Sequence, residues 1–327
     1  MDEDCIRLTS YFRGRQRADG MPLADALTSL YAQHGAAAGV VVRGSEGSMT
    51  ATAVGRRPGI EAILGPAAAL TAPGLLTIGR ARLLTGDIGT AWLGVQPGEA
   101  TRLVIHLGSR DQVFQVPAFE AACELLYRRG IAGATVLPGV DGRRQRPQRP
   151  GHEPGAPMMV IAVHPGNEIG MMLPELGALF RHPVMTVDKV QVCKRDGQLI
   201  SRPQPPGASP LPGAAAQVRL TVYASEASRH DGHPVHRAIA GQLGPSPAKG
   251  SITVRGRWGF HADHAPHGDH FPRRDRHLPA ITTVTGPPER ISAAFDVIDE
   301  LTTDSGLVTA ETVLVAEPAA ADVRPGR

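Results

Sequence analysis

The sequence predicts an α+β chain of three tandem βαββαβ units, and three observations predict it. First, an Arg-Leu pair opens an apolar run at Arg7-Leu8, Arg102-Leu103 and Arg219-Leu220, and the same markers follow each pair without a gap. A proline stands 15 residues after the arginine (Pro22, Pro117, Pro234), a glycine 37 after it (Gly44, Gly139, Gly256) and another 40 after it (Gly47, Gly142, Gly259). Such self-similarity at fixed spacing marks a recurring supersecondary unit. Second, hydrophobic periodicity switches between strand-like and helix-like in the same order after each pair. Third, 327 residues suggest two or three domains. The chain is 42% hydrophobic but only 4% aromatic, and its 38 glycines and 29 prolines imply many turns.

The elements follow in order. The run containing each Arg-Leu pair reads as a first strand. The proline after it suits a first helical turn, where its missing N–H is not needed. Helically spaced apolar residues then follow: Leu23, Leu27, Leu30 and Tyr31; Ala118, Ala122, Leu125 and Leu126; Val235, Ile239 and Leu243. Gly35 and Gly130 fit helix stops. A second strand runs through Gly39–Val42, Ala134–Leu137 and Ser251–Val254 into each Gly-x-x-Gly turn. Third strands are expected at Met49–Val54, Met158–Val163 and Ala280–Val284. Second helices are expected at about Gly59–Leu70, Glu168–Phe180 and Pro288–Thr302. Fourth strands enter at Leu75–Thr77, Val184–Thr186 and Leu307–Thr309. Each unit makes a four-stranded antiparallel sheet with both helices on one face, so its other face needs cover.

The predicted domains are residues 5–87, 101–194 and 217–317, with a Pro-rich linker at residues 195–216 and a short strand expected around Trp92. The loop after the second strand varies in length. It is nearly absent in the first unit, Arg-rich in the second (Arg143, Arg144, Arg146, Arg149) and His-rich in the third. Loops of this kind carry function disproportionately.

The third unit reads Val218-Arg219-Leu220-Thr221-Val222-Tyr223, then Glu226, then Gly250-Ser251-Ile252-Thr253-Val254-Arg255-Gly256-Arg257-Trp258-Gly259-Phe260, and ends Ser305-Gly306-Leu307-Val308-Thr309. It resembles the domain-of-unknown-function family 190, a branch of the PII-like signalling proteins, whose pattern has a Tyr-x-x-Glu start, a glycine turn and a Gly-Leu-Val-Thr close. The second unit matches through Gly130–Gly139 and Pro174–Leu176, the first mainly through register. Pro138 stands where the family has the turn arginine, and His261 where it has glycine. The resemblance implies ferredoxin-like domains arranged as an intramolecular pseudo-trimer in a monomeric chain, each sheet covered by the other two. It implies a regulatory protein that binds a small effector, an adenine nucleotide being the candidate, in inter-domain clefts. A long loop would contact a protein target, a membrane transporter among the candidates.

Glycine turns after a strand present backbone N–H groups to phosphate, with arginine supplying charge. The candidate ligand-binding residues are therefore Arg43, Gly44, Gly47, Gly139, Gly142, Arg255, Gly256 and Gly259. The alternative for the glycines is a tight turn alone. His261, His264, His267 and His270 recur every third residue, with Asp263, Asp269 and His277 nearby. Imidazoles and carboxylates suit zinc or a similar divalent metal, so a metal-sensing protein is the second functional expectation. A solvated pH-responsive loop is the plainer one.

No Gly-x-Ser-x-Gly, Walker or His-Glu-x-x-His motif is present, so no enzyme is predicted; an active site in a cleft is a third, weaker expectation. A net charge of +3 is too mild to indicate nucleic acid. Three cysteines without a CxxC fit a reduced, cytoplasmic setting. The acidic start, with no apolar run after it, predicts no secretory signal.

Overall fold

The computed structural model describes residues 3–144, 155–180, 183–209, 214–244, 250–261, 264–268, 278–304 and 306–316. The first stretch of chain forms β1 (Glu3–Arg13), α1 (Leu23–Gln33), β2 (Ala38–Arg43), β3 (Ser48–Arg56), α2 (Arg57–Thr71) and β4 (Leu75–Thr85). The second forms β5 (Glu99–Gly108), α3 (Ala118–Arg128), β6 (Gly133–Arg144), β7 (Pro157–Pro165), α4 (Glu168–Leu179) and β8 (Val184–Arg195). The third forms β9 (Ala214–Ser225), α5 (Val235–Leu243), β10 (Ile252–Arg255), β11 (Trp258–His261), β12 (Pro279–Gly286), α6 (Pro288–Leu301) and β13 (Leu307–Ala316). The marker prolines sit at the N-caps of α1, α3 and α5. Gly35 and Gly130 adopt φ of 71° and 74°, and the amides after them, Ala36 and Ile131, donate back to Tyr31 and Leu126. Both helices therefore end at a left-handed glycine, as the sequence predicts.

The main strands join one antiparallel sheet, in the order β8-β5-β7-β6-β2-β3-β1-β4-β13-β9-β12-β10, with β11 added to β6. β8 also pairs with β4 and β13, which closes the first nine strands of that order into a barrel. This corrects the expected fold class. Three ferredoxin-like tandem-repeat domains, arranged as a pseudo-trimer, would each keep a four-stranded sheet of their own. Here the hydrogen-bonded ladder runs from one stretch into the next: Gly139–Arg144 of β6 pairs with Ala38–Val42 of β2, and Val184–Val187 of β8 pairs with Arg82–Thr85 of β4. The physical reason is the edge strand. An isolated four-stranded sheet leaves a row of unpaired backbone groups on each side, and a closed barrel removes them. The strand expected around Trp92 is also absent; that segment carries no regular structure, and Trp92 is exposed.

Pleating explains the Arg-Leu pairs. Successive residues of a strand point to opposite faces. Leu8, Leu103 and Leu220 are fully buried on the outer face, each in a separate core beneath a pair of helices. Leu8 packs with Leu27 and Ile63, Leu103 with Leu126 and Leu173, and Leu220 with Ile239 and Phe295. The arginine before each leucine points into the barrel. Leu103→Ala should cost about 2–5 kcal/mol, the range for a truncated core leucine. Urea denaturation of the two chains measures it, and a loss under about 1 kcal/mol would mean that this core is loosely filled.

Candidate functional site

The three marker arginines meet inside the barrel. Arg7, Arg102 and Arg219 are only 7%, 5% and 6% exposed, and two carboxylates sit among them. Arg102 donates to Asp188 through Nε at 3.1 Å and through Nη2, and to Glu311 through Nη1 and Nη2 at 2.7 Å each. Arg7 donates to Glu311 at 2.6 Å and more weakly to Asp188 at 3.4 Å. Arg219 reaches Glu311 at 3.3 Å, donates to Thr77 Oγ1, and has its guanidinium 5.8 Å from the centre of the Tyr11 ring. Burial alone would push the Glu311 carboxyl up, but Arg102, Arg7 and Arg219 together hold it well below the usual range. Burial disfavours the Arg102 cation, yet Asp188 and Glu311 raise its pKa well above the ordinary value.

Cross-strand register places these groups. Arg102 lies opposite Asp188 and Arg219 opposite Glu311, whereas Arg7 lies opposite Gly79. A Cβ on Gly79 would stand 3.1 Å from Arg7 Nη2. Three cations thus face two anions. The cavity beside them has about 120 Å³ of room, and its lining also includes Thr186, His106 and Tyr223.

The glycine turns lie where one stretch meets another. Gly44 bridges to Val254 and its amide donates to Ser48; the carbonyl of Gly47 accepts from Gly14. Gly139 and Gly142 lie in the β6–β2 ladder, where a Cβ on Gly142 would come within 2.2 Å of the Gly39 carbonyl. The Gly142 amide donates to its neighbour Asp141. The Gly256 amide donates to the Pro279 carbonyl, and Gly259 pairs with Thr135, its Cβ position 2.2 Å from the Ala134 carbonyl. The amides of Gly44, Gly142 and Gly256 are thus engaged within the protein, and all three turns support close approach of strands. Arg43 is exposed at the end of β2. Arg255 is held by the buried carboxylate of Glu226.

A cleft lies between the second and third stretches. Gly133–Thr135 of β6 and Ile161 and Val163 of β7 form one wall, Tyr223, Phe260 and Pro279 the other, with about 100 Å³ of room. Arg195, Asp196 and His261 supply its polar groups. His261 Nε2 stands 4.0 Å from Asp196 Oδ1, and burial lowers the His261 pKa, Asp196 opposing and His264 adding to the shift. Tyr223 and Ile161 line both this cleft and the barrel cavity. Burial raises the Tyr223 phenol, with Arg102 opposing.

His264 follows His261 closely, its amide donating to the His261 carbonyl, and His267 Nδ1 contacts the Ala265 carbonyl. Among the described residues, no three His, Cys, Asp or Glu side chains gather as a metal would need. His270, His277, Asp263 and Asp269 lie outside the described residues, as do Arg146 and Arg149. The three cysteines are buried and unbridged. No described helix is long and apolar enough to cross a membrane.

Sequence reasoning used Arg7, Arg102 and Arg219 only as markers and passed over Glu311. Their signal was the repeated polar residue beside a leucine inside an apolar strand, which is costly to bury unless paired. Glu226 was visible as the motif glutamate, but not as the partner of Arg255.

A family model described as "DUF190: Uncharacterized ACR" matches residues 100–192 and 217–315. The first stretch of chain lies outside the match. Similar solved structures include an anthrone oxidase-like protein (12% identity, 57% of this chain and 93% of that one, TM-score 0.21). Another is CrmK, a flavoenzyme of caerulomycin biosynthesis (14% identity, 81% of this chain and 55% of that one, TM-score 0.21). A third is a heme-binding protein from Thermus thermophilus (10% identity, 70% of this chain and 94% of that one, TM-score 0.18). At these scores none of the three bears on the fold or the activity.

Proposed function

The chain belongs to the DUF190 family of uncharacterized proteins, and from that premise we propose that it is a PII-like regulatory protein whose effector enters the cleft between the second and third stretches. The observation that carries this reading is the position of the cleft. It is walled by the two stretches that the family model matches, and it opens beside the Gly256–Gly259 turn, with Thr135 and Pro279 lining the cleft and approaching Gly256. Its chemistry supports a mixed ligand: apolar walls suit a planar ring, and Arg195 at the rim suits an anionic group. An adenine nucleotide is the candidate. A protein target, such as a membrane transporter, would be contacted through the loop after β11, and the unbridged cysteines support a cytoplasmic setting.

Calorimetry with ATP, ADP, AMP and cyclic AMP tests the proposal. One of them should bind saturably, and Arg195→Ala should weaken it by roughly tenfold, the loss of one charge-assisted hydrogen bond. Absence of binding by all four would overturn the nucleotide reading. If zinc bound instead, and His264→Ala with His267→Ala abolished that binding, the histidine loop would be a metal site.

A further inference from the structure

The barrel interior is built with one more cation than anion. Along each of β1, β5 and β9 the same inward register position holds an arginine, and each has a cross-strand partner. Two of those partners are carboxylates and one is Gly79. The remaining titratable groups that line the cavity are His106, Tyr11 and Tyr223, so no further described carboxylate balances the third arginine. A buried charge is costly unless paired. Two buried donors on the cavity wall, Arg219 Nε and Thr186 Oγ1, also have no hydrogen-bond partner within the protein. Surplus charge, unmet donors and a cavity therefore coincide.

We propose that this cavity is a binding site for a small planar monoanion of the carboxylate type, which completes the third ion pair. The guanidinium fork matches a carboxylate in geometry and charge. About 120 Å³ of room admits an anion of a few atoms, and Arg7, Arg102 and Arg219 line this cavity and not the cleft, so the two sites are distinct. Tyr223 and Ile161 form part of the walls of both. An anion held against Arg219 would fix the Tyr11 ring on which that guanidinium rests.

Gly79→Asp supplies the test. The three atoms nearest to a Cβ there all belong to the Arg7 guanidinium group, at 3.1 to 3.6 Å, so an aspartate would place a permanent third carboxylate among the arginines. Formate, acetate, inorganic phosphate and chloride are titrated into the full chain at constant ionic strength, with melting temperature and calorimetric heat as readouts. Formate or acetate should stabilise the native chain saturably, with chloride and phosphate at least tenfold weaker. Gly79→Asp should melt higher without anion and lose the formate response, while Gly79→Ala should keep it. Should Gly79→Asp not fold, Arg219→Met removes the surplus cation and should abolish the response as well. Equal formate responses in the native chain and in the charge-balanced variant would overturn the proposal. So would no response in the native chain, or a phosphate response exceeding that of formate.

Discussion

Glu311→Gln should destabilise the chain by about 3–5 kcal/mol, enough to unfold a marginal protein at 37 °C. Glu311 accepts from Arg7, Arg102 and Arg219, which come from three separate strands. Neutralising it would leave Asp188 alone against three buried cations. Urea denaturation followed by circular dichroism measures the loss. A change under about 1 kcal/mol would mean that solvent or a counterion already screens the network. The same residue sets an acid limit. Its folded pKa is depressed, so its contribution is fully present above the unfolded value near 4.5 and is lost as pH falls through the folded value. The native chain should therefore lose stability progressively below about pH 4.5. Glu311→Gln should show a shallower acid dependence, and matching pH profiles for the two chains would show that other carboxylates set the limit.

Gly142→Ala should cost about 2–6 kcal/mol without touching any cavity. Gly142 has φ of 144°, which L side chains adopt only with strain, and its Cβ would press against backbone rather than against a yielding side chain. Strain of about 1–3 kcal/mol and overpacking of similar size add up to that figure. The damage would fall on the ladder between β6 and β2, which joins the second stretch to the first. Hydrogen exchange should report it as faster exchange of the amides in Ala38–Val42, with the α3 and α4 core less affected. Unchanged exchange in β2 would show that the strands can part slightly at no cost.

The local elements were legible because their signals are local. Proline at a helix start, glycine at a helix stop and apolar spacing of 3.6 place α1 to α6 to within a few residues. The arrangement of the sheet was not, because it depends on which edge meets which. Nothing in Ala38–Val42 specifies that its free side will pair with Gly139–Arg144. The site divides in the same way. The register of Gly44, Gly139 and Gly256 was readable, but close strand approach and phosphate contact ask for the same residue type. In a strand of alternating type, the inward face can be told from the outward one only when it is known what covers each. Arg7, Arg102 and Arg219 were therefore visible as a pattern but not as a cluster. The bond from Arg7 to Glu311 spans 304 positions, beyond any periodicity.

That span bears on how the molecule comes into being. β4 and β8 can meet as soon as β8 is made, but β13, which pairs with both, comes more than a hundred residues later. At about 5–20 residues per second, the ribosome would take roughly 15–60 s to release β13 after β1. Through that interval Arg7 and Arg102 have no Glu311 to meet, and the parts of β4 and β8 that β13 covers, Thr77–Ile78 and Gln191–Arg195, remain available to other chains. The newborn protein is therefore most exposed to misassembly until β13 has left the ribosome, and a helper that shields sheet edges would matter most up to that moment.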